Sequence, residues 1–285
     1  MSGFGNQMKT VFLLGLLTVL VILAGSAFGP NGMIIAFIFA MLMNGASYWF
    51  SDKIALAMTR SQPIARERNP QLYSLVEQLA RRAGLPMPRL YLTPSPQPNA
   101  FATGRSPAHS AVAVTSGLLQ LLDQEELAGV IAHELAHIKN RDVLISTLAA
   151  VMAGVVTTLA NWAQWALLFG GLGSGDDDEG GSGLAALPLI ILGPLAAMLV
   201  QMAVSRSREY LADATGAEIA GRSRGLAQAL LKLDRSARMI PMNVNPAASH
   251  LFIVNPLTAQ RLLSLFSTHP PIHERVARLN KLTIR

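Results

Sequence analysis

The chain has 285 residues, of which 51% are hydrophobic and only 14% charged, against about 25% charged residues in typical soluble domains. This balance argues against a purely cytosolic globular protein, and it excludes disorder over most of the length. Because the chain contains no cysteine, disulfides, thiolate metal sites and a cysteine nucleophile are also excluded. Any metal site must therefore use His, Asp or Glu.

Residues 1–52 are predicted to form an N-terminal transmembrane hairpin. No Asp, Glu, Lys, Arg or His occurs at positions 10–51, and the apolar stretches 11–29 and 33–50 each have about the length of a spanning helix. Residues 29–32, Gly-Pro-Asn-Gly, predict a tight turn between them. A cleaved signal peptide is the alternative interpretation of the first stretch, because a basic residue precedes its apolar run.

Residues 53–142 are predicted to form a compact polar region with helices and strands. Apolar residues at helical spacing predict a helix over 69–84. Asp123, with Glu126 three residues later, predicts the capped start of another helix. Short apolar runs separated by Pro, Gly and Ser predict a small antiparallel sheet, with strands in 89–94, 99–104 and 109–117.

A second transmembrane hairpin is predicted over residues 143–205. Two charge-free stretches lie on either side of the acidic loop 176–179, and each is long enough to span a bilayer. Pro188 and Pro194 predict a kinked or irregular fourth helix. The alternative is that both stretches form the buried core of a large soluble domain. The remaining residues, 206–285, are predicted to be mostly helical, with an interruption at 241–246.

The placement of basic residues predicts the orientation of the chain in the bilayer. Lys and Arg follow the second apolar stretch, precede the third and follow the fourth, whereas the loop between the third and fourth is purely acidic. Both termini and both polar regions are therefore expected in the cytoplasm. This topology explains the formal net charge of +6, so no nucleic-acid partner is needed to account for the basic balance.

The sequence His133-Glu134-Leu135-Ala136-His137 lies in the middle of the helix that begins near Asp123. Its two histidines are four residues apart, so their imidazoles stand on one helix face and can reach one zinc ion. From a neighbouring angle, Glu134 can hold the water bound to this ion and accept its proton. The pattern predicts a catalytic zinc site.

A solvated helix surface is the alternative interpretation of these three side chains. The residues around them are apolar, however, so the helix is expected to be at least half buried. Burying two histidines and a glutamate costs free energy unless they are paired or bind a metal. The metal interpretation is therefore preferred.

A catalytic zinc site needs a third protein ligand and an open position. Glu209 is the best candidate, because it emerges from the fourth apolar stretch just as the histidine-bearing helix enters the third. A hairpin of these two stretches would bring Glu209 level with His137. Asp213, one helical turn beyond Glu209, can accept the free N–H of a ligand histidine. Ion pairs of both acids with the neighbouring arginines are the alternative, which these residues alone leave open.

Two further segments are candidates for contacts with a peptide substrate. The predicted edge strand that pairs with the substrate contains Asn99, Ala100, Phe101 and Ala102, and an ordinary strand followed by a turn is the alternative. His269 is a candidate hydrogen-bond donor to an oxyanion, with Arg275 anchoring its segment. An exposed histidine at the start of a helix is the alternative for His269.

Several motifs together resemble the HtpX-type membrane zinc metalloproteases, which belong to the same peptidase family as the type I CAAX prenyl proteases. These motifs are HELAH at 133–137, SRSREYLADATGAE at 205–218 and THPPIHER at 268–275. The resemblance implies one Zn²⁺ ion bound by His133, His137 and Glu209, with Glu134 as the catalytic base. It also implies a mainly α, multi-pass membrane protein in which a zincin-like (gluzincin) α+β protease domain accompanies four hydrophobic helices.

The same resemblance implies an endopeptidase of the bacterial inner membrane that degrades misfolded or damaged membrane proteins on the cytoplasmic side, in quality control and stress response. Residues 53–142 would hold its sheet and motif helix, and residues 206–285 its third zinc ligand. The expected partners are misfolded membrane-protein or peptide substrates and the lipid bilayer, while the oligomeric state is not predicted.

Two alternatives to this function are a CAAX-type prenyl-protein endopeptidase and a non-catalytic metal-binding membrane scaffold. Four spans are few for the large chamber that the prenyl protease usually needs. A scaffold needs no base beside its metal, so Glu134 argues against it.

Overall fold

The computed structural model describes residues 29–154, 206–242, 244–256 and 270–284, together with scattered helical positions between 8 and 26. Over these residues the chain is mostly helical, with one four-stranded sheet. The helices are α1 (Gly29–Trp49), α2 (Ser51–Met58), α3 (Pro70–Ala83), α4 (Ser116–Leu121), α5 (Gln124–Lys139), α6 (Val143–Gly154), α7 (Arg206–Ala220), α8 (Arg224–Met239) and α9 (Ile272–Leu279). The strands are β1 (Gln62–Pro63), β2 (Arg89–Thr93), β3 (Ala100–Gly104) and β4 (Ser110–Thr115). Short 3-10 helices cover Arg66–Arg68, Pro107–His109 and Pro246–Leu251.

Helix α1 covers all but the last residue of the predicted second apolar stretch and begins earlier than predicted. Residues 29–32, predicted as a tight turn, form its first turn, because Pro30 lacks only an N–H that a first turn leaves unbonded anyway. Gly29 has a φ of 76°, a conformation that favours glycine. Within the described part of the chain, α1 is the one helix long and apolar enough to cross a membrane.

The first apolar stretch lies beside α1. The side-chain amide of Asn44 in α1 donates hydrogen bonds to the carbonyl of Leu14 at 3.1 Å and to the hydroxyl of Thr18 at 2.7 Å. A polar side chain in an apolar helix is favourable when it bonds a neighbouring helix in this way. The two apolar stretches of the predicted N-terminal hairpin are therefore in contact.

The third predicted apolar stretch begins as α6. Ile145, Leu148 and Met152 in this helix are fully buried, and the hydroxyls of Thr147 and Thr103 in β3 lie 3.1 Å apart. Its first turns therefore pack against the sheet. The rest of the predicted second hairpin, residues 155–205 with the acidic loop and its two prolines, lies outside the described residues.

The sheet is mixed, so the prediction of an antiparallel sheet was wrong. Its order is β1-β2-β4-β3, with β1 antiparallel to β2, β2 parallel to β4, and β3 antiparallel to β4. Strand β4 lies between β2 and β3, parallel to the first and antiparallel to the second. The three predicted strands are confirmed in position, and β3 forms one edge of the sheet.

The two predicted helices, over 69–84 and from Asp123 onward, are confirmed. Asn69 caps α3 by accepting a hydrogen bond from the N–H of Leu72, and Gly84 ends it with a φ of 69°. Helix α5 begins with a capping box: Asp123 accepts from the N–H of Glu126, whose carboxylate accepts from the N–H of Asp123. These local bonds fix where α5 begins.

Helix α5 runs through the largest hydrophobic core, surrounded by α3, α7, α8 and the sheet. Its residues Val130, Ile131 and Leu135 are fully buried. Helix α8 comes close to α5 at Gly129, where an added Cβ would lie 2.4 Å from the backbone nitrogen of Leu226. Dense packing on several sides holds α5 in one position. Among the described residues of the C-terminal region, α7 and α8 precede the predicted interruption and α9 follows it.

Candidate metal centre

The two histidines of the HELAH motif point their outer nitrogens toward each other. His133 and His137 lie on successive turns of α5, and their Nε2 atoms are 3.1 Å apart. Their rings meet edge to face, with centroids 4.7 Å apart and an interplanar angle of 87°. His133 is fully buried. The spacing of four residues therefore places both nitrogens around one point, as predicted.

Helix α7 brings Glu209 to the same point. Glu209 Oε1 lies 3.6 Å from His137 Nε2, and Glu209 Oε2 lies 3.8 Å from His133 Nε2. One ligand atom from each of these three residues can be chosen so that all lie within 4.8 Å of one another. The carboxylate predicted as a third ligand is thus level with both imidazoles.

Carboxylates also face the other nitrogen of each ring. Asp213, predicted to accept from a ligand histidine, has its Oδ1 3.1 Å from His133 Nδ1. Asp142 Oδ2 lies 3.1 Å from His137 Nδ1, a contact that sequence reasoning missed. A carboxylate at Nδ1 keeps the hydrogen there and leaves the lone pair at Nε2 for a metal. The turn after α5 makes the second contact possible, because Arg141 adopts a φ of 58° and turns the chain back.

Arg275 joins this network from α9 and is fully buried. It donates to both oxygens of Asp213, at 2.9 Å from Nε and 2.6 Å from Nη2, and from Nη1 to the carbonyl of Ile253 at 3.2 Å. Burial alone would raise the pKa of Asp213, but the Arg275 guanidinium holds it well below its usual range. His269, whose segment Arg275 was predicted to anchor, lies outside the described residues.

Glu134 has the burial and the neighbours expected of a general base. It is 2% exposed, its carboxylate interacts with the backbone N–H of Ala102, and burial raises its pKa to about 7. Within the described part of the chain, Glu134 Oε1 is buried without a hydrogen-bond partner. A carboxylate with one open oxygen and a raised pKa can accept a proton near neutral pH.

The two histidines have opposite electrostatic environments. Burial lowers the pKa of His133, which also lies beside the Arg275 guanidinium. Burial would likewise lower the pKa of His137, but the carboxylates of Asp142 and Glu209 raise it to about 10. A field that holds a proton on His137 also attracts a metal cation. The site therefore has the charge to bind a positive ion at the histidine nitrogens.

The donor set and its spacing fit a metal ion. Two imidazole nitrogens and a carboxylate oxygen are available from three buried side chains, and both rings are oriented by carboxylates. Nitrogen ligands at roughly 2.0–2.1 Å from one ion lie about 3–3.5 Å apart, close to the observed separation of 3.1 Å. The residues present can hold a metal.

These side chains line a small cleft of about 30 Å³, which has room for an ion or a water molecule. Its walls come from α5, α6, α7, β3 and the 3-10 segment near 250. The lining residues are Ala102, His133, Glu134, His137, Asp142, Val143, Ser146, Arg208, Glu209, His250, Leu251, Phe252 and Ile253. Sequence reasoning did not place Asp142, Arg208 or His250 in a site, because each reaches the cleft only through the tertiary fold.

Only part of the predicted substrate strand faces this cleft. Asn99 donates from Nδ2 to the carbonyl of Val254 at 2.7 Å, and the carbonyl of Ala100 accepts from the N–H of Ile253 at 3.0 Å. Phe101 is fully buried against Phe252, with ring centroids 5.0 Å apart. Asn99, Ala100 and Phe101 therefore contact residues 252–254 of the same chain. Ala102 lines the cleft.

Two imidazoles and a carboxylate around one point, with a buried carboxylate beside them, form the arrangement of a metal-dependent hydrolase. Residues 66–283 match the profile of the family described as Peptidase family M48. The chain belongs to this family, so the resemblance seen in the motifs is confirmed.

Proteins similar to this chain support the same assignment. A protein named Protease HtpX homolog from Pelotomaculum thermopropionicum is 60% identical over 283 residues, covering 98% of this chain and 100% of the relative. Relatives of the same name from Desulforapulum autotrophicum and Thermococcus sibiricus are 54% and 51% identical, over 96% and 98% of this chain and 89% and 97% of their own lengths. The crystal structure of S. mikatae Ste24p shares the fold, with a TM-score of 0.52 and 18% identity, over 98% of this chain and 66% of that chain. The protein is a peptidase, and its cluster of His133, His137 and Glu209 fits the metal site of a metalloprotease.

Proposed function

We propose that this protein is a membrane-bound zinc endopeptidase that cleaves misfolded or damaged membrane proteins at the cytoplasmic face of a bacterial inner membrane. The observation that carries the proposal is the convergence of His133, His137 and Glu209 on one point, with the buried base Glu134 beside it. Membership of peptidase family M48 supports the peptidase part.

Zinc is the metal that the donor set favours. Zn²⁺ prefers imidazole nitrogens with carboxylate oxygens, and catalytic zinc sites use three protein ligands and keep one position open. A bound zinc ion supplies Lewis-acid chemistry, since it polarises a carbonyl oxygen and makes a nearby water more acidic.

The residues of the chain have distinct tasks in this proposal. Glu134 accepts a proton from the attacking water at Oε1 and delivers it to the amine that leaves, for which its pKa of about 7 is well matched. Asp213 and Asp142 hold the two imidazoles in orientation through Nδ1. The backbone carbonyl of Ala102, in edge strand β3, accepts a hydrogen bond from an extended substrate, and His269 donates to the oxyanion.

The membrane part of the proposal is supported by α1, an apolar helix of 21 residues near the N-terminus. Because the chain has no cysteine, single cysteines can report its orientation in right-side-out vesicles. Glu67→Cys, exposed just beyond α2, is expected to resist an impermeant maleimide, whereas Asp177→Cys in the acidic loop is expected to react. The reverse labelling pattern would refute the cytoplasmic orientation.

A glutamine substitution tests the catalytic base. Glu134→Gln is expected to keep the fold and the zinc but to stop cleavage of unfolded casein, because the amide cannot accept the proton. Glu125→Gln, exposed on α5 about two and a half turns before Glu134, is the matched control. Full activity of Glu134→Gln would refute this mechanism. Cleavage of casein without any lipid-modified peptide would also separate this function from a prenyl-protein endopeptidase.

Metal analysis tests the third ligand. Glu209→Ala is expected to lower the zinc content of the purified protein well below one ion per chain, because two imidazoles alone bind zinc weakly. Glu218→Ala, exposed on the same helix, should retain the full zinc content. Unchanged zinc in Glu209→Ala would remove this residue from the site. Zinc-dependent self-cleavage in detergent would exclude a non-catalytic scaffold.

A further inference from the structure

Arg208 has an unusual position in the candidate centre. It precedes Glu209 in the first turn of α7 and lines the cleft with His133, Glu134 and His137. Both terminal nitrogens, Nη1 and Nη2, are shielded from solvent, and neither has a hydrogen-bond partner in the described part of the chain. Such buried donors are rare in native proteins, and each calls for an explanation, such as a catalytic role or an acceptor that binds there.

The unpaired donors of Arg208 distinguish it from Arg275, the other arginine at this centre. Arg275 is more deeply buried, but Nε, Nη1 and Nη2 all donate to Asp213 or to the carbonyl of Ile253. Among the described residues, the fields of Asp142 and Glu209 stabilise the charge of Arg208. Arg275 therefore holds the fold together, whereas the donors of Arg208 remain available inside the cleft.

The charges around Arg208 indicate the kind of group that it accepts. A guanidinium only donates hydrogen bonds, so its ligand must offer oxygen acceptors. Three carboxylates, those of Glu134, Asp142 and Glu209, already line the same cleft and would repel an incoming carboxylate. A neutral peptide carbonyl avoids this repulsion and still accepts a charge-assisted hydrogen bond.

We propose that Arg208 binds a backbone carbonyl oxygen of the peptide substrate, next to the bond that is cleaved. The inference rests on the proposed function, since it assigns a substrate contact within the same centre. Recognition through a backbone carbonyl is independent of side chain and of chain ends, so it selects internal segments of unfolded polypeptides. Substrate specificity is then broad.

Kinetics on an internally quenched, unstructured decapeptide test the contact. Arg208→Gln is expected to raise KM about ten-fold or more while kcat changes less than about two-fold, because the bond is present in both the ground and transition states. Arg208→Lys, which keeps the charge but loses the planar set of N–H donors, should raise KM by less. Arg206→Gln, exposed in the same turn, is the matched control and should leave both constants unchanged. A fall in kcat without a change in KM, unchanged constants, or loss of zinc from Arg208→Gln would overturn the proposal.

Binding measurements separate this inference from the proposed function. In the Glu134→Gln background, Arg208→Gln should raise the Kd of the decapeptide by a factor similar to the rise in KM. This increase should be the same whether the C-terminus of the decapeptide is free or amidated. Weakening confined to the free C-terminus would show that Arg208 binds a terminal carboxylate, and would overturn the carbonyl assignment. If the unmodified protein cleaved no peptide but this weakening persisted, the proposed function would fail while the Arg208 contact stood.

Discussion

Gly216 of α7 lies directly against the backbone of His133 in α5. A Cβ added to Gly216 would be 2.9 Å from His133 Cα and 3.0 Å from His133 N, closer than real side chains approach a backbone. The two helices reach this separation because position 216 has no side chain. Since Glu209 lies about two turns earlier on α7, the contact also sets the distance between Glu209 and the two histidines.

Substitution of this glycine should therefore affect stability and metal binding together. Gly216→Ala is expected to lower the free energy of unfolding by about 1–3 kcal/mol, because α7 must move away from α5. The same movement should weaken zinc binding in a chelator competition assay. Gly45→Ala in α1, where an added Cβ has nothing within 4 Å, should have neither effect. Wild-type zinc affinity in Gly216→Ala would show that this contact does not position Glu209.

The carboxylate of Asp142 should tune the metal affinity of His137. Asp142→Ala is expected to weaken zinc binding about 10–100-fold, because His137 loses the group that orients its ring through Nδ1. Asp142→Asn should weaken it less, since the amide oxygen still accepts the Nδ1 hydrogen. Asp234→Ala, which removes an ion pair with Arg238 far from the centre, is the control. Equal affinities in all variants would contradict an orienting role.

The Arg275–Asp213 pair should matter for stability more than any exposed ion pair. Arg275→Met is expected to lower the free energy of unfolding by about 3–5 kcal/mol, because the Asp213 charge stays buried without its partner. Chemical denaturation monitored by circular dichroism measures this. The control is Arg238→Met, whose partner Asp234 is partly exposed, and its effect should stay within about 1 kcal/mol. A small change in the free energy of unfolding of Arg275→Met would mean that other groups compensate the charge of Asp213.

The capping box of α5 offers a test that is separate from the metal. Asp123→Ala is expected to cost about 1 kcal/mol of stability, because the first turn of α5 loses the bond from the Glu126 N–H. Gln124→Ala, exposed one residue later, should be nearly neutral. Both variants should retain full zinc content. Loss of zinc in Asp123→Ala would show that the start of α5 controls its histidines.

Features that depend on neighbouring residues were predictable from the sequence. The helix over 69–84, the cap at Asp123 and the positions of three strands follow from local hydrogen bonding and local side-chain patterns. Strand order did not follow, because local pattern does not say which strands become neighbours. The prediction of a tight turn at 29–32 was wrong for a local reason, since proline and glycine are also compatible with the first turn of a helix.

In the candidate metal centre, too, contacts between distant residues could not be predicted from the sequence. Sequence reasoning associated Arg275 with His269, which is close to it along the chain, but the guanidinium binds Asp213 at a separation of 62 residues. Asp142 is close to His137 in sequence, yet only the left-handed turn at Arg141 brings their side chains together. Pairing of Arg208 with nearby acids was only the alternative that the sequence left open, and its open donors became visible only in the folded cleft.

The sequence by itself determined that two imidazoles share one helix face and that a carboxylate projects at a neighbouring angle, because the period of the α-helix alone dictates these positions. The tertiary structure decided which distant groups complete the centre. Glu209, Asp213 and Arg275 reach the histidines because α7 and α9 pack against α5, and this packing depends on contacts between segments that are far apart in the chain. Local periodicity carries no information about such contacts.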